Sequence, residues 1–260
     1  MNIVVLIKQV PDTWSERTLS DGDFSLDRGA ADAVLDEINE RAVEEALQVK
    51  EAGEAEVTVV TMGPERATEA IRKALSMGAD KAVHLQDDAL HGSCAVQTAK
   101  ALAKVIGTLG QVDLIIAGNE ATDGRVGAVP AMLAEVLGLP QLTQVRKLTV
   151  EGTTVSGERE TDDAIFGLSA TLPAVVSVTE KINEPRYPSF KGIMAAKKKP
   201  VTTLSLADAG IDPADVGLAA ALTTVSAAAP KPPRSSGERV ADEGDGGRKI
   251  VQYLVAQKII

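Results

Sequence analysis

An unbroken apolar run, Ile3-Val4-Val5-Leu6-Ile7, stands near the start of the chain and constrains the fold more than any other feature. Its residues do not alternate with polar ones. As a strand it has to be covered on both faces, which is the situation of an inner strand in a parallel sheet. Similar short runs recur at Val57 to Val60, Ala82 to Leu85 and Leu114 to Ala117, and segments of helical period separate them. The first such segment starts near Asp36. It carries Ile38, Ala42, Val43, Ala46, Leu47 and Val49 on one stripe, with Glu40, Arg41, Glu44, Glu45 and Lys50 opposite, and Gly53 stops it. The second places Ala67, Ala70, Ile71, Ala74 and Leu75 inward and stops at Gly78. The third runs from about Ser93 with Gly110 behind it, and a fourth runs from about Gly127 to Leu137. Strands alternating with helices of this length form βαβ units. Right-handed crossovers then predict an α/β fold, a doubly wound, mostly parallel sheet between helical layers.

Two other stretches read differently. Val10 to Ala31 is polar and turn-rich, a long loop with room for a small hairpin, and loops of that length are usually functional. After Pro140, Val145 to Val150 and Thr154 to Arg159 flank Glu151-Gly152 as a β-hairpin, and Ala164 to Ser169 and Ala174 to Thr179 follow as strands. A short helix is expected between Pro188 and Lys199. The division expected is a nucleotide-binding body over residues 1–200, with a recognition loop at 184–199, and an extended C-terminal arm over 201–260. Within that arm Pro230 to Arg248 has little to bury, and Ile250 to Ile260 turns apolar again, as befits an arm that docks elsewhere.

Composition removes several function classes. The 27 Lys and Arg against 37 Asp and Glu leave a net charge of −10, which disfavours nucleic acid and anionic membranes as partners. Aromatic residues make up only 2%, too few for a base-stacking platform. The lone Cys94 allows no internal disulfide and no CxxC site. His84 and His91, seven apart, match no helical ligand spacing. No apolar run reaches the ~18 residues of a membrane span. With no targeting segment seen at the N-terminus, the expected location is the cytoplasm.

The chemistry concentrates in Gly118-Asn119-Glu120-Ala121-Thr122-Asp123-Gly124-Arg125-Val126-Gly127. This segment follows a strand and opens a helix, at the edge where open α/β sheets bind ligands. Glycines allow close backbone approach to a phosphate, Thr122 offers a hydroxyl, and a helix N-terminus offers oriented N–H groups. The segment matches neither the Walker nor the GxGxxG pattern, so a plain Gly-rich turn explains it equally well. The strand ends at Leu6 to Val10 and at Thr61 to Pro64 share the same rim. Elsewhere the bland readings prevail: a structural His84, a solvated His91, Cys94 as a small helix residue, and Glu158, Glu160, Asp162 and Asp163 on a salt-bridged face. No nucleophile–base–orienter set is present. Tyr187-Pro188-Ser189-Phe190 reads either as ordinary packing or as an exposed aromatic anchor for a partner.

Several blocks match a known family. They are Val5 to Asp12, Asn39 to Ala46, Ala74 to Asp80, Val112 to Leu114 leading into Gly118, Gly157 to Asp162, Leu172 to Val176, Asn183 to Tyr187, and Ile193 to Lys199. On these the chain resembles the β subunit of electron transfer flavoproteins over essentially its whole length. The resemblance implies one half of an αβ heterodimer that holds a structural AMP and an FAD, the latter mostly in the α subunit. Electrons would pass from acyl-CoA and related dehydrogenases, through the FAD, to a membrane quinone oxidoreductase, with no catalytic residues in this chain. It implies AMP contacts from Leu6, Lys8, Asp36, Asn39, Met62 and the loop Gly118 to Gly127. Partner contacts would come from Tyr187, Phe190, Ile193 and Met194, with Phe190 at the family's leucine anchor. Glu160 would have a regulatory part in flavin-domain swinging. The alternative is a homodimeric nucleotide-binding stress-type αβα module, which leaves the blocks around Glu158 and Asn183 unexplained. A nucleotide hydrolase or ligase is a third reading, opposed by the missing catalytic set.

Overall fold

A computed structural model describes residues 1–234, 237 and 239–260, and it divides into two compact units, Met1–Val225 and Ser226–Ile260. The first unit is built on β1 (Asn2–Leu6), whose residues beyond Asn2 are buried as the unbroken apolar run requires. Two short strands follow, β2 (Gln9–Pro11) and β3 (Ala33–Leu35), paired antiparallel as a separate ribbon at the neck of the long loop. At three residues each they are too short to stand out in sequence. Inside the loop the small hairpin reduces to one bridge, Leu19 to Leu26. Helix α1 (Glu37–Ala52) starts at Asp36, whose carboxylate caps it, and ends at Gly53.

The alternation then proceeds through β4 (Glu56–Met62), α2 (Thr68–Met77), β5 (Lys81–Leu85), α3 (Ala95–Gly107), β6 (Leu114–Gly118) and α4 (Val129–Leu137). Gly78 stops α2 at φ 145°, where a side chain would press on Leu47. The meander follows as β7 (Gln141–Glu151), β8 (Thr154–Glu160) and β9 (Ile165–Thr171), and β10 (Ala174–Val178) returns to the centre. After α5 (Phe190–Ala196), strand β11 (Val201–Leu204) pairs parallel with β5. The sheet thus has nine strands in the order β11-β5-β4-β1-β6-β10-β7-β8-β9, mostly parallel, with β8 antiparallel to both its neighbours. Alternate residues of the central strands face opposite layers. Val5, Val59, Ile116 and Val176 join α1 and α2 in one core, and Val4, Val60, Ile115 and Val175 join α3 and α4 in the other.

Three expectations need correction. Residues after 200 are not all arm: β11 closes one sheet edge, and Leu206, Ala209, Ile211 and Val216 are buried in the core on the α3 side, so the compact body runs to Val225. The polar character of Val201-Thr202-Thr203-Leu204 hid an edge strand, whose side chains need cover on one face only. The outer stripe of α1 is not all solvated either, because Glu44 and Glu45 are buried. The fourth helix begins at Val129 rather than Gly127, because Gly127 sits at φ 66°.

Beyond β11 lies α6 (Gly217–Ala220). In the second unit, α7 (Gly246–Ala256) forms from the apolar end of the sequence. The described residues between Pro230 and Asp245 carry no helix or strand, while Ser235, Ser236 and Glu238 of the expected tail lie outside the described residues. Among the described residues, no helix is long and apolar enough to cross a membrane.

Candidate functional site

From β1 the chain crosses over toward β4 and β5 on one side, then returns through α3 to β6 on the other. The gap between the C-terminal ends of β1 and β6 is therefore the switch point of strand order, where such sheets leave a crevice. Leu6 lies in register with Ala117 on one side and Val60 on the other, and Met62 ends β4 two residues further on. The loop from Gly118 to Gly127 leaves β6 at this point.

Asp36 organises the crevice. Fully buried, it accepts bonds with Oδ1 from the N–H groups of Ile38 and Asn39 at 3.0 and 3.2 Å. Its Oδ2 accepts from the Thr122 N–H at 2.6 Å and the Thr122 hydroxyl at 2.7 Å. One carboxylate thus caps α1 and pins the middle of the loop. Close approach does the rest. A Cβ on Gly118 would lie 2.5 Å from Asn39 Nδ2 and 3.0 Å from Ile38 Cγ2, so a side chain there would displace the Asn39 amide and crowd the start of α1 against the strand end.

Charge is concentrated at Asp123, whose side chain is fully buried. Lys8 Nζ and Arg28 Nε each donate to it at 2.8 Å. Burial raises its pKa, but Lys8 and Arg28 more than offset this, and its carboxyl ionises below the usual carboxylate range. Burial of its stem and the neighbouring Arg28 draw the Lys8 ammonium below the ordinary lysine value, although 38% of that side chain stays exposed. Arg125, at φ 49°, turns outward and pairs with Glu120 at 2.8 Å.

Asn119 carries an unmet demand. Its Nδ2 donates to Gln144 Oε1 at 2.9 Å, yet its buried Oδ1 has no partner among the described residues. Gln144 itself stands at φ 62°, a strained conformation for a residue with a side chain, and its N–H donates to Ser177 Oγ. The N–H groups of Gly124, Val126 and Gly127 donate to no backbone carbonyl among the described residues, and no side chain caps α4. The rim thus combines a buried acceptor without a donor among the described residues, open backbone N–H groups able to receive an anion, and two cations, Lys8 and Arg28, that share the buried Asp123. A separate surface groove lined by Glu65, Arg66, Thr68, Glu69 and Arg72 lies outside this crevice.

The structure brings Leu6, Lys8, Asp36, Asn39, Met62 and Gly118 to Gly127 to one rim. Arg28, Gln144 and Ser177 were missing from the sequence reading. Only the turn Asp27-Arg28-Gly29 inside the long polar loop hinted at any of them. Glu160 is held instead by Arg146 at 3.1 Å and Lys181 at 3.0 Å, and these cations keep its carboxyl below the usual range. Glu158 likewise pairs with Arg146 and Lys147, as a salt-bridged face should.

Tyr187, Phe190, Ile193 and Met194 lie elsewhere. They are exposed on and just before α5, Tyr187 by 94% and Phe190 by 80%. Helix α5 rests on the C-terminal end of α2, where a Cβ on Gly192 would come within 2.4 Å of the Ser76 carbonyl oxygen. Since α2 runs against the strands, this knob sits at the sheet edge opposite the crevice.

The family description "Electron transfer flavoprotein domain" matches residues 23–209. The chain is 69% identical to the electron transfer flavoprotein subunit beta of Mycobacterium tuberculosis, over all of this chain and 99% of that one. It is 67% identical to the protein of the same description from Mycobacterium leprae, with the same coverage. To that from Megasphaera elsdenii it is 35% identical, with both chains covered in full.

Proposed function

The chain belongs to the electron transfer flavoprotein family, on its β-subunit side, and from that premise we propose that it is the nucleotide-holding, partner-docking base of an αβ electron carrier. The observation that carries the reading is the crevice at the β1–β6 switch point, where Asp36 pins Thr122 and Asn119 Oδ1 is left buried and unpaired. AMP is the ligand that suits it. Lys8, Arg28 and the open N–H groups of the loop face a phosphate, while Asn119 Oδ1 accepts a hydrogen bond from an amino or hydroxyl group. AMP contributes no bond chemistry and completes the packing of the rim. FAD, held mostly by the α subunit, supplies the redox chemistry.

This chain's own contribution to turnover is docking. Phe190, flanked by Tyr187, Ile193 and Met194, offers an apolar knob to a pocket on an electron-donating dehydrogenase of the acyl-CoA type. A membrane quinone oxidoreductase takes the electrons onward. Such anchors concentrate binding free energy in one or two aromatic side chains.

Co-expression with the α subunit tests the reading. The expected product is a yellow αβ complex with one AMP recovered by mass analysis. A colourless homodimer would favour the stress-type module instead. In the same complex Phe190→Ala should slow reduction at sub-saturating dehydrogenase while FAD and AMP content hold. Unchanged rates would remove the docking role.

A further inference from the structure

We propose that Arg186 is a positioning residue for the docking knob: it straps the segment that leads into Tyr187 and Phe190 onto α1, so that the knob is presented ready-shaped to its partner. The inference rests on the docking reading above and assigns part of that site to residues that do not touch the partner.

Residues 183–189 have no regular secondary structure, yet they are closely held. The segment runs along the outer face of α1. Asn183 Nδ2 donates to the Arg41 carbonyl at 3.1 Å and to Glu45 Oε2 at 2.9 Å, and Arg41 donates back to the Asn183 carbonyl. Further along, Arg186 bridges two carboxylates two turns apart on α1. Its Nε reaches Glu44 Oε2 at 2.7 Å and its Nη2 reaches Glu44 Oε1 at 3.0 Å. The same Nη2 meets Glu51 Oε2 at 3.1 Å, and Nη1 adds a further bond to Glu51. The Arg186 backbone N–H also donates to Glu44. Glu44 is buried, so this fork is fixed in a way that an exposed ion pair is not.

The far end of the knob is tied just as firmly. Lys199 Nζ donates to the carbonyls of Leu75 and Ala79, at 3.0 and 2.5 Å, and Arg72 donates to that of Ala196 at 2.7 Å. Between these ties the apolar side chains stand out from the stretch Tyr187 to Ala195. A loop held at both ends loses little further freedom when it binds, and that lowers the entropic cost of association. The planar guanidinium matters here. Lysine keeps the charge but cannot engage both carboxylates through one rigid fork.

The test uses the αβ complex and an acyl-CoA dehydrogenase, with KM for the dehydrogenase and kcat measured separately. Arg186→Lys is expected to raise KM about fivefold or more and to leave kcat within about twofold. Glu51→Gln removes only the exposed arm of the fork and should raise KM less, without unpairing the buried Glu44. In a Phe190→Ala background, Arg186→Lys should add almost nothing, because the knob it places is gone. Equal effects of Arg186→Lys with and without Phe190 would assign Arg186 a general structural role and overturn the proposal. So would an unchanged KM in both Arg186→Lys and Glu51→Gln. Should Phe190→Ala alone leave KM unchanged, the docking reading itself fails, and this inference with it.

Discussion

Thr122 donates both its N–H and its hydroxyl to a single oxygen of Asp36, at 2.6 and 2.7 Å, across 86 positions of sequence. The other oxygen of the same carboxylate caps α1. One buried side chain therefore couples the start of a helix on one layer of the sandwich to the loop that leaves the next strand. Helix and loop meet at this carboxylate, so the shape of the site depends on it as well as on the close approach at Gly118.

Asp36→Asn puts that coupling to the test. The substitution keeps the size of the side chain but turns one acceptor into a donor facing donors. A lost cap and an unpaired buried group together cost on the order of 2–4 kcal/mol. The expected outcome is a lower urea midpoint at unchanged slope, with AMP content falling further than FAD content in the αβ complex. Full AMP occupancy in a destabilised variant would separate the coupling from the ligand.

Two glycines of one loop should behave oppositely. A Cβ at Gly118 meets Asn39 Nδ2 at 2.5 Å and Ile38 Cγ2 at 3.0 Å, so the Asn39 amide must shift and the contact with α1 is crowded, whereas Gly124 has nothing within 4 Å. Gly118→Ala is expected to cost about 1–3 kcal/mol and to deplete AMP, as overpacking of a tight contact does. Gly124→Ala should change stability by less than about 0.5 kcal/mol, as at an ordinary surface position. Thermal melts and nucleotide extraction of the pair decide it, and equal losses would show that the close approach at Gly118 is not what shapes the crevice.

How much of this the sequence disclosed depends on range. The inner strands were legible because Ile3 to Ile7 and Leu114 to Ala117 lack the polar alternation of a half-exposed strand. The helices were legible from their stripes and from stops such as Gly53 and Gly78. Long-range polar pairing was not. Glu44 and Glu45 sit where helical periodicity assigns solvent, and they are buried only because Arg186 and Asn183 arrive from far along the chain to cover and pair them. Arg28 and Gln144 were silent for the same reason: what gives each its place is a partner that no local pattern encodes. Strand β11 was missed because a polar edge strand resembles a linker.

His84 supplies a pH dependence of known sign. Its ring is buried on β5, and Nε2 lies 2.9 Å from the Gly63 carbonyl, which can only accept, so Nε2 carries the proton. Burial lowers its pKa from the usual 6.5, against a smaller opposing effect of the backbone carbonyls. Between the folded pKa and 6.5 the unfolded chain therefore binds more protons than the folded one. This contribution is fully favourable above 6.5 and is lost as pH falls through the folded value. His84→Gln retains an N–H donor without titrating. The difference in urea midpoint between wild type and variant should shift against wild type as pH is lowered from about 7.5 to about 5. A difference that stays flat over that range would place the folded pKa at its ordinary value.

The last helix makes the assembly itself testable. On α7, Ile250 and Val251 and, one turn later, Leu254 and Val255 form an apolar stripe, and Ile250, Val251 and Val255 are exposed. An exposed apolar face is where partners bind, and the expectation from the proposed complex is that the α subunit covers this one. Burying an unpaired carboxylate costs several kcal/mol. Val251→Asp with Val255→Asp should therefore weaken association with the α subunit by about a hundredfold or more, since each factor of ten is about 1.4 kcal/mol. The body, Met1–Val225, has its own two cores, so its melting transition should not move. Sedimentation of the co-expressed subunits and calorimetry of the variant chain measure the two arms. Wild-type affinity with both charges in place would mean that the stripe on α7 faces something other than the α subunit.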